Sequence, residues 1–423
     1  MQQTFAYPEE MLNRGFVIAV YYAEMDKHAD ALEAARSLAI GQSIGTWTPV
    51  PAITPAMQDR HMARVVAVYD LPPVELSSDL PEGKRPVIVH IAFPEVNFGA
   101  QFPMLLSTLL GNEASTSPQV KLIDLQFSQS FAAGFQGPHF GIEGVRKRLG
   151  VWNRPILLNM IKPCTGFGPD EGAALFAEVA RGGVDIIKDD ELLGNPSFNA
   201  LVRRVEAYRR AAERIFEETG HRVAYCANIT DRVDKLVENA RRAQELGAAM
   251  VMVNAVAVGL GALHMLAEDE ALNVPILAHS AGAAMLTENP RSGIASPLLL
   301  GKLVRIAGAD AGMFNSIYTR YPTLRERYLR IAHMQRMPLF HMKPSLPTIG
   351  GGITPGNAVR IIQDLGPDIM LAVGGAIHGH PDGAAAGARA MRQAIDAAME
   401  GVALADKAAE HPELRRALEV WGP

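Results

Sequence analysis

The chain of 423 residues is 48% hydrophobic and 20% charged, which is typical of a globular protein of two domains and unlike a disordered or fibrous chain. Its net charge of −5 and pI near 6.2 lack the basic excess on which binding to a nucleic acid backbone depends, so we expect no nucleic-acid partner. Two cysteines are too few for a disulfide framework and the N-terminus has no apolar signal segment, so we expect a cytoplasmic protein.

The first part of the chain predicts a small sheet with helices packed on it. Its apolar runs are separated by Pro- and Gly-rich stretches, as strands and helices are separated by turns. In chain order the pattern predicts strand 16–24, helix 29–40, strand 63–71, strand 85–93, helix 101–111 and strand 120–127. This is the element order of a split βαβ, ferredoxin-like α+β domain, which we assign to residues 1–136.

From residue 137 onward short apolar runs alternate with longer amphipathic ones, as in a parallel sheet covered by crossover helices. Eight apolar runs occur, at 155–161, 184–187, 222–228, 249–256, 275–279, 311–315, 346–352 and 368–375. We therefore predict that residues 137–423 form a (β/α)8 TIM barrel, so that the fold class is α/β. A doubly wound sheet is less favoured, because no Gly-x-Gly-x-x-Gly follows the first strand of either half.

One apolar stretch is long enough to be considered as a membrane span. Residues 248–266 are mostly apolar, but Asn254, two glycines and His264 interrupt them. We interpret this stretch as a buried strand that runs into a helix, and we expect no membrane association.

The barrel prediction also says where the chemistry should lie, because such barrels carry their active sites at the carboxyl ends of the strands. Polar side chains follow six of the predicted strands: Lys162, Lys188 to Glu191, Asn228, Asn254, His279 and Asn315. We expect the active site at that end.

The run Lys188, Asp189, Asp190 and Glu191 follows directly on the buried strand VDII. Strand alternation places Lys188 and Asp190 on one side and Asp189 on the other. Two inward carboxylates suit a hard cation such as Mg2+, and a carbamate formed on Lys188 by CO2 would add a third oxygen ligand. A salt-bridged, solvated strand end is the alternative for such a run.

Glycine clusters follow the seventh and eighth predicted strands, where barrel enzymes commonly bind a phosphate through backbone N–H groups. Gly351, Gly352, Gly374 and Gly375 fit that role, although glycine-rich turns are also ordinary loop chemistry. We expect a small phosphorylated substrate.

Two further side chains are candidates for catalysis. Lys162, held extended before a proline, fits a proton carrier, a phosphate counter-ion or a Schiff-base nucleophile. His279 is a candidate for polarising a substrate oxygen, with a structural histidine as the alternative. Cys164 and Cys226 fit inert small hydrophobic residues.

Several stretches resemble the ribulose bisphosphate carboxylase/oxygenase (RuBisCO) large chain family. They include GGVDIIKDDE, IGTWT, KLIDLQF, FQGPHFGI, RPILLNMIKP and GGAIHGHPDG, and they extend over most of the chain. The resemblance implies a homodimer with active sites at the subunit interface. It implies that Lys188 is the carbamylated lysine and that Asp190 and Glu191 bind Mg2+ beside it. It further implies that Lys162 is the active-site acid/base lysine and that His279 lies near the metal.

The same resemblance assigns residues outside the barrel. It implies that Thr46, Trp47 and Asn112 are contributed to the active site by the neighbouring subunit. It also implies that the two glycine pairs after the seventh and eighth strands form a phosphate-binding loop pair.

At several positions the chain departs from the carboxylases of that family. Cys164 occupies the place of their second active-site lysine, and the loop after the sixth strand lacks the lysine that closes over the gaseous substrate. Further departures remove other active-site groups, most of them at the second phosphate: Gly41, Ser280, Ala283, Met313 and Gly350. A pocket with one phosphate site should not hold a bisphosphate well, so the resemblance is to a RuBisCO-like protein and not to a carboxylase.

We therefore expect a Mg2+-dependent enzyme that forms an enolate or enediolate of a monophosphorylated keto sugar acid. The leading expectation is decarboxylation or hydrolytic C–C cleavage of a substrate like 3-oxo-isoapionate 4-phosphate. Proton transfer of the diketo-methylthiopentyl-phosphate enolase or methylthioribulose-phosphate isomerase type is the alternative, although Asn112 stands where that enolase has its base lysine. A Schiff-base lyase using Lys162 and a non-catalytic sugar-phosphate-binding barrel also remain open.

Overall fold

The computed structural model describes residues 4–46, 48–116, 119–319 and 322–423. Contacts divide the chain into two compact units. The first comprises residues 1–136 and 282–299, and the second comprises residues 137–281 and 300–423. The predicted division into 1–136 and 137–423 does not assign residues 282–299 to the first unit.

Strands β1–β4 and β10 belong to the first unit and the other strands to the second. The strands are β1 (Phe16–Asp26), β2 (Arg64–Asp70), β3 (Lys84–Pro94), β4 (Val120–Gln126), β5 (Ile156–Met160), β6 (Ile186–Lys188), β7 (Ala224–Asn228), β8 (Met250–Asn254), β9 (Ile276–His279), β10 (Gly293–Ile294), β11 (Ala311–Asn315), β12 (Leu346–Gly350) and β13 (Met370–Val373).

Helices α1–α6 and α13 lie in the first unit. The helices are α1 (Pro8–Asn13), α2 (Ala31–Gly41), α3 (Pro55–His61), α4 (Phe102–Leu110), α5 (Asn112–Ser115), α6 (Gln129–Ala133), α7 (Gly141–Leu149), α8 (Pro169–Arg181), α9 (Leu201–Thr219), α10 (Leu236–Glu245), α11 (Ala255–Val258), α12 (Leu260–Ala267), α13 (Ala284–Thr287), α14 (Val304–Ile306), α15 (Arg325–Arg336), α16 (Pro355–Leu365), α17 (Gly375–His378), α18 (Ala384–Glu400), α19 (Leu404–Glu410) and α20 (Pro412–Trp421). Short 3-10 turns and a π-helical segment, Pro297–Leu303, complete the described elements.

The first unit is a mixed sheet with the strand order β10-β4-β1-β3-β2. Its four long strands pair antiparallel, and all six elements predicted for this part of the chain are present. Strand β1 is central, and its buried residues include Val17, Ala19 and Tyr21. The two-residue strand β10 joins the edge by pairing parallel with β4, which brings 282–299 into this unit.

The second unit is a closed barrel of eight parallel strands in the order β11-β12-β13-β5-β6-β7-β8-β9. The predicted TIM barrel is therefore confirmed, and each of the eight predicted runs overlaps a strand. Apolar side chains from the strands fill the interior, as they must because the strands are covered on both faces. The strand residues in this core include Ile156, Leu158, Ile186, Cys226, Met250, Met252, Leu277, Ala311, Met313, Leu346, Met370 and Ala372.

An acidic residue anchors the amino end of β6, the strand whose other end carries the charged run. Asp185 is 5% exposed and accepts hydrogen bonds from Arg154 at 2.7 and 2.8 Å and from the N–H of Leu157 at 2.8 Å. Arg392 lies 3.0 Å from the same carboxylate. Buried acids need such partners, so this end of the strand is fixed. Among the described residues, no helix combines the length and the apolar character that a membrane span needs.

Candidate active site at the carboxyl ends of the barrel strands

The charged run at the end of β6 is buried rather than solvated. Lys188 and Asp189 are 0% exposed and Asp190 is 1% exposed, while Glu191 is partly exposed at the rim. The alternative prediction for this run, a salt-bridged, solvated strand end, is therefore wrong about the solvation of the first three residues, although Asp189 and Asp190 do form ion pairs. Buried charges at this density require specific partners, which the following contacts supply.

The amine of Lys188 is fully buried and feels the negative charges of the Glu191 and Asp190 carboxylates. Its Nζ donates a hydrogen bond to the backbone oxygen of Asp189 at 2.9 Å. Burial lowers the pKa of Lys188 below its ordinary value, while the negative charges of Glu191 and Asp190 act in the opposite direction. A buried lysine of this kind holds a larger fraction of neutral amine than an exposed one, and the neutral amine is the form that reacts with CO2.

Asp190 connects the charged run to the neighbouring strand. Its Oδ2 accepts a hydrogen bond from Nζ of Lys162 at 2.6 Å, and its Oδ1 accepts one from the N–H of Leu192 at 3.1 Å. Lys162 follows β5 and also contacts Sγ of Cys164 at 3.1 Å. Burial opposes ionisation of Lys162, but the hydrogen bond and charge of Asp190 raise its pKa above the ordinary value. The structure thus holds Lys162 as an ammonium group.

His279 at the end of β9 faces the same cluster. Its Nε2 lies 3.6 Å from Oε2 of Glu191, and its Nδ1 accepts a hydrogen bond from the N–H of Ala281 at 3.1 Å. Burial, with the nearby positive charge of Lys188, lowers the pKa of His279 to about 3. The imidazole is therefore neutral, and because Nδ1 accepts, Nε2 carries the proton and points toward Glu191.

Two carboxamides hold the backbone of the charged run. Nδ2 of Asn228, on β7, donates to the backbone oxygens of Asp190 at 3.1 Å and Glu191 at 3.3 Å. Nδ2 of Asn254, on β8, donates to the same Glu191 oxygen at 3.0 Å. The two asparagines predicted at strand ends therefore act on the main chain of the run.

Whether the cluster can bind a divalent cation depends on how many side chains can act as its ligands. Within the described residues no group of three or more His, Cys, Asp or Glu side chains is arranged to hold a metal ion. Asp190 and Glu191 alone would leave a hard cation with two protein ligands. Lys188 faces both carboxylates, so a carbamate on its amine adds the missing anionic oxygen. The residues fit Mg2+ on the condition that Lys188 is carbamylated.

The two glycine clusters lie side by side, because β12 and β13 are neighbours in the barrel. Gly351 and Gly352 have φ of 80° and 77°, a conformation that favours glycine. Gly374 faces Lys162, since a Cβ built on it would lie 3.0 Å from Cε of that lysine. At Gly375, by contrast, an added Cβ would meet nothing within 4 Å. Of these backbones, that of Gly374 is close to the lysine and that of Gly375 is open to a ligand.

Met313 and Gly350 lie on the neighbouring strands β11 and β12. Met313 on β11 is 4% exposed and belongs to the apolar core of the barrel. A Cβ built on Gly350 would collide with the Met313 methyl group. The methionine thus fills the space that a side chain at position 350 would need, and the position is apolar.

The residues assigned to the first unit lie on connected segments. Thr46 is exposed and follows α2, and Asn112 is exposed at the start of α5. Gln42 ties these segments together, because its side chain donates to the Thr108 carbonyl at 2.8 Å and accepts from the N–H of Glu113 at 3.3 Å. Trp47, predicted to belong to the same group, lies outside the described residues.

Arg204, on α9, is a residue of the site that was not predicted from the sequence. It is 0% exposed and forms an ion pair with Asp189 at 3.1 Å. The signal was its place on the apolar stripe of the helix, three residues after Leu201 and four before Tyr208, both buried. A charge at such a position is buried and therefore needs a partner.

His378, after β13, was also missed. Its Nε2 lies 3.3 Å from the backbone nitrogen of Lys162, which donates to it, and 3.2 Å from Oδ1 of Asn159. Burial lowers the pKa of His378 to about 4, so the ring is neutral. It supports the backbone that presents Lys162.

Two family models match the chain. The model of the ribulose bisphosphate carboxylase large chain catalytic domain matches residues 141–421, and that of the N-terminal domain matches residues 7–131. The chain is 47% identical over 425 residues to a ribulose bisphosphate carboxylase-like protein of Archaeoglobus fulgidus, with 99% of this chain and 97% of that protein covered. It is 39% identical over 407 residues to a 2,3-diketo-5-methylthiopentyl-1-phosphate enolase of Bacillus cytotoxicus, with 96% and 97% covered.

Solved structures give the same picture. A rubisco-like protein from Alicyclobacillus acidocaldarius superposes with a TM-score of 0.88 at 41% identity, covering 96% of this chain and 100% of that one. An octameric ribulose-1,5-bisphosphate carboxylase/oxygenase from Pyrococcus horikoshii superposes with a TM-score of 0.88 at 34% identity, covering 97% and 94%.

Proposed function

The chain belongs to the ribulose bisphosphate carboxylase large chain family as a RuBisCO-like protein, and on this premise we propose that it is a Mg2+-dependent enolate-forming enzyme acting on a monophosphorylated keto compound. The observation that carries the proposal is the fully buried amine of Lys188 beside two carboxylates. Such an arrangement is costly unless a cation and a carbamate complete it.

The metal-binding part of the proposal assigns three residues. Lys188, as a carbamate formed from CO2, would hold Mg2+ together with Asp190 and Glu191. A divalent cation bound there stabilises the negative charge that develops on a substrate oxygen when an enolate forms. The two asparagines that bind the carbonyls of the run keep its carboxylates in place. His279 presents an N–H toward the same point and can donate to a substrate oxygen.

Lys162 is the proposed proton carrier. It lies between the metal-binding run and the glycine cluster after β13, so it is placed next to both the reacting atoms and the phosphate end of a substrate. Its ion pair with Asp190 favours an ammonium group that donates a proton over a neutral amine that attacks a carbonyl. The Schiff-base alternative is therefore not the one proposed.

A single phosphate site is proposed at Gly351, Gly352, Gly374 and Gly375. The Gly375 backbone is open, Gly374 lies beside Lys162, and the loops follow neighbouring strands at the end where such barrels bind phosphate. On the neighbouring strands β11 and β12, Met313 is apolar and Gly350 has no side chain, which supports a monophosphate rather than a bisphosphate substrate. We propose no carboxylase activity.

The central test of this function is the replacement Lys188→Met, which conserves volume and removes the amine. Losing an electrostatic stabiliser of this kind costs about 100- to 1,000-fold in kcat, and we expect at least that loss on an active monophosphorylated substrate. Lys235→Ala, at an exposed ion pair, is the control and should keep wild-type turnover. Wild-type activity in Lys188→Met, or activity that survives EDTA together with a borohydride-trapped adduct on Lys162, contradicts the proposal.

Two reactions fit an enolate-forming site, and different observations favour them. Similarity to 2,3-diketo-5-methylthiopentyl-1-phosphate enolases favours proton transfer at carbon. Two observations favour C–C cleavage of a branched keto acid phosphate such as 3-oxo-isoapionate 4-phosphate. Asn112 has no basic group where those enolases are expected to carry a base, and Lys162 lies beside Asp190. Assaying both substrates for solvent deuterium uptake and for CO2 or acid release separates the two. No Mg2+-dependent turnover on either class would favour a non-catalytic phosphate-binding barrel.

A further inference from the structure

Asp189 points away from the barrel interior and lies at the centre of a buried hydrogen-bond cluster. Its Oδ2 accepts hydrogen bonds from Nε of Arg204 at 3.1 Å, from the hydroxyl of Tyr225 at 2.7 Å and from the N–H of Asn228 at 2.9 Å. The three side chains of Asp189, Arg204 and Tyr225 are at most 4% exposed. Asp189 is the residue between the carbamate candidate and the first carboxylate ligand, so its position fixes theirs.

Arg204 extends the cluster to the surrounding backbone. Its guanidinium donates to the carbonyls of Asn199 and Gly194, each at 2.7 Å, and to that of Asn228 at 3.4 Å. One side chain therefore joins the end of β6, the end of β7 and the loop that follows the charged run. The charge of Asp189 raises the pKa of Arg204, against the effect of burial, so this donor stays charged.

Tyr225 completes the arrangement from the adjacent strand. Its hydroxyl donates to Asp189 and also lies 3.2 Å from Nε of Arg204, from which it accepts a hydrogen bond. The register pairs Tyr225 with Ile187 on β6, one residue before Lys188. The hydroxyl thus bridges both members of the ion pair at the point where β6 ends.

We propose that the cluster of Asp189, Arg204 and Tyr225 is a positioning device that holds Lys188, Asp190 and Glu191 in the geometry that binds the metal. This inference rests on the proposed function, because it concerns the same metal-binding run. The three residues touch neither substrate nor metal, and they act through the backbone of β6. Groups that orient metal ligands typically contribute about 10- to 100-fold to metal affinity.

Tyr225→Phe and Tyr208→Phe form a matched pair of variants that tests the device. The two rings pack against each other with centroids 4.9 Å apart, and both are buried. The Tyr208 hydroxyl has no hydrogen-bond partner among the described residues, whereas that of Tyr225 serves Asp189. Each replacement removes one hydroxyl from the same aromatic cluster, but only one of them removes a contact to the metal-binding run.

The experiment measures carbamate formation directly, with 13C-labelled bicarbonate and increasing Mg2+, by the 13C NMR signal of the carbamate. We expect Tyr225→Phe to raise the Mg2+ concentration for half-maximal carbamate by about tenfold, and Tyr208→Phe to leave it within about twofold of wild type. Thermal unfolding of both variants shows whether they are folded at the assay temperature.

Three results would overturn the inference, and they differ in what else they affect. If Tyr225→Phe matches wild type, or if both variants weaken carbamate formation equally, the positioning role is wrong while the metal site stands. If wild-type protein forms no carbamate at any Mg2+ concentration, the proposed function fails and the inference fails with it.

Discussion

Gly374 and Gly375, adjacent in the loop after β13, have different surroundings. Substitutions at the two positions should therefore affect different steps, proton transfer at Gly374 and substrate binding at Gly375. A Cβ on Gly374 would lie 3.0 Å from Cε of Lys162 and would have to displace it, whereas a Cβ on Gly375 would meet nothing within 4 Å. The absence of a side chain at Gly374 thus leaves room for Lys162, and its absence at Gly375 leaves room for a ligand.

We predict that Gly374→Ala lowers kcat by about 10- to 100-fold with a smaller change in KM, because a displaced catalytic lysine misaligns proton transfer. Gly375→Ala should instead raise KM for a phosphorylated substrate and change kcat little, because its methyl group enters the proposed anion site. Steady-state kinetics of the two variants measures this split. Equal effects of both variants on kcat would show that Lys162 is not the group that Gly374 accommodates.

The residues of the charged run could be identified from the sequence, but their environment could not. Four consecutive charges after a buried strand predict a functional site, and the structure buries three of them. The place of Arg204 on the apolar stripe of α9 predicts that it is buried, but only the fold identifies Asp189 as its partner. Charge runs locate a site, whereas the partners that make it stable come from distant segments.

At the scale of elements, β6 is a three-residue strand with an acid fixed at each end. Asp185 is held at its amino end by Arg154 and Arg392, and Asp189 is held at its carboxyl end by Arg204. Burial opposes ionisation of Asp185, but the hydrogen bonds from Arg154 and the charge of Arg392 lower its pKa below the ordinary value of 3.8. A lowered pKa stabilises the fold above the unfolded-state pKa, and this stabilisation is lost as pH falls through the folded-state pKa.

We predict that Asp185→Asn lowers the Tm of the protein by about 5 to 10 °C at pH 7, since it leaves two partly buried guanidinium groups without their buried anion. The difference from wild type should be the same at pH 5 and should shrink below about pH 3.8, where Asp185 of the unfolded wild-type chain takes up a proton that the folded protein does not bind. Calorimetry at pH 7, 5 and 3 measures it. Glu218→Gln, at an exposed ion pair with Arg181, is the control and should shift Tm little. A difference that is constant down to pH 3 would contradict the assignment.

The eight barrel strands and the six elements of the first unit were predictable because each carries its own local pattern. Apolar runs such as 156–160 and 250–254 are continuous, and the helices between them repeat their apolar residues every three to four positions. The two-residue strand β10 could not be predicted, because it exists only through pairing with β4, more than a hundred residues away. Its segment, 282–299, therefore belongs to the first unit, although the sequence places it within the predicted barrel, 137–423.

At the scale of the whole molecule, the family resemblance predicts that each active site is shared between two subunits. Lys188 belongs to the barrel unit, whereas Thr46 and Asn112 belong to the first unit. If the first unit of one subunit serves the barrel of its partner, two variants that are inactive for different reasons should complement each other.

We predict that mixing Asn112→Ala and Lys188→Met chains, with subunit exchange, restores activity to about a quarter of wild type, because half of the dimers are mixed and one of their two sites is intact. Each variant alone should be nearly inactive. Native mass spectrometry establishes that mixed dimers form. If mixed dimers are present and activity stays at the level of the parent variants, the site is not shared in this way.

The central claim is that a carbamate and a divalent cation neutralise the buried charges at the end of β6. A crystal structure of the protein grown with Mg2+ and bicarbonate tests it most directly. We predict a carbamate on Nζ of Lys188 and one ion coordinated by it, by Asp190 and by Glu191. An unmodified amine at Lys188, with no ion between it and the two carboxylates, would contradict the account.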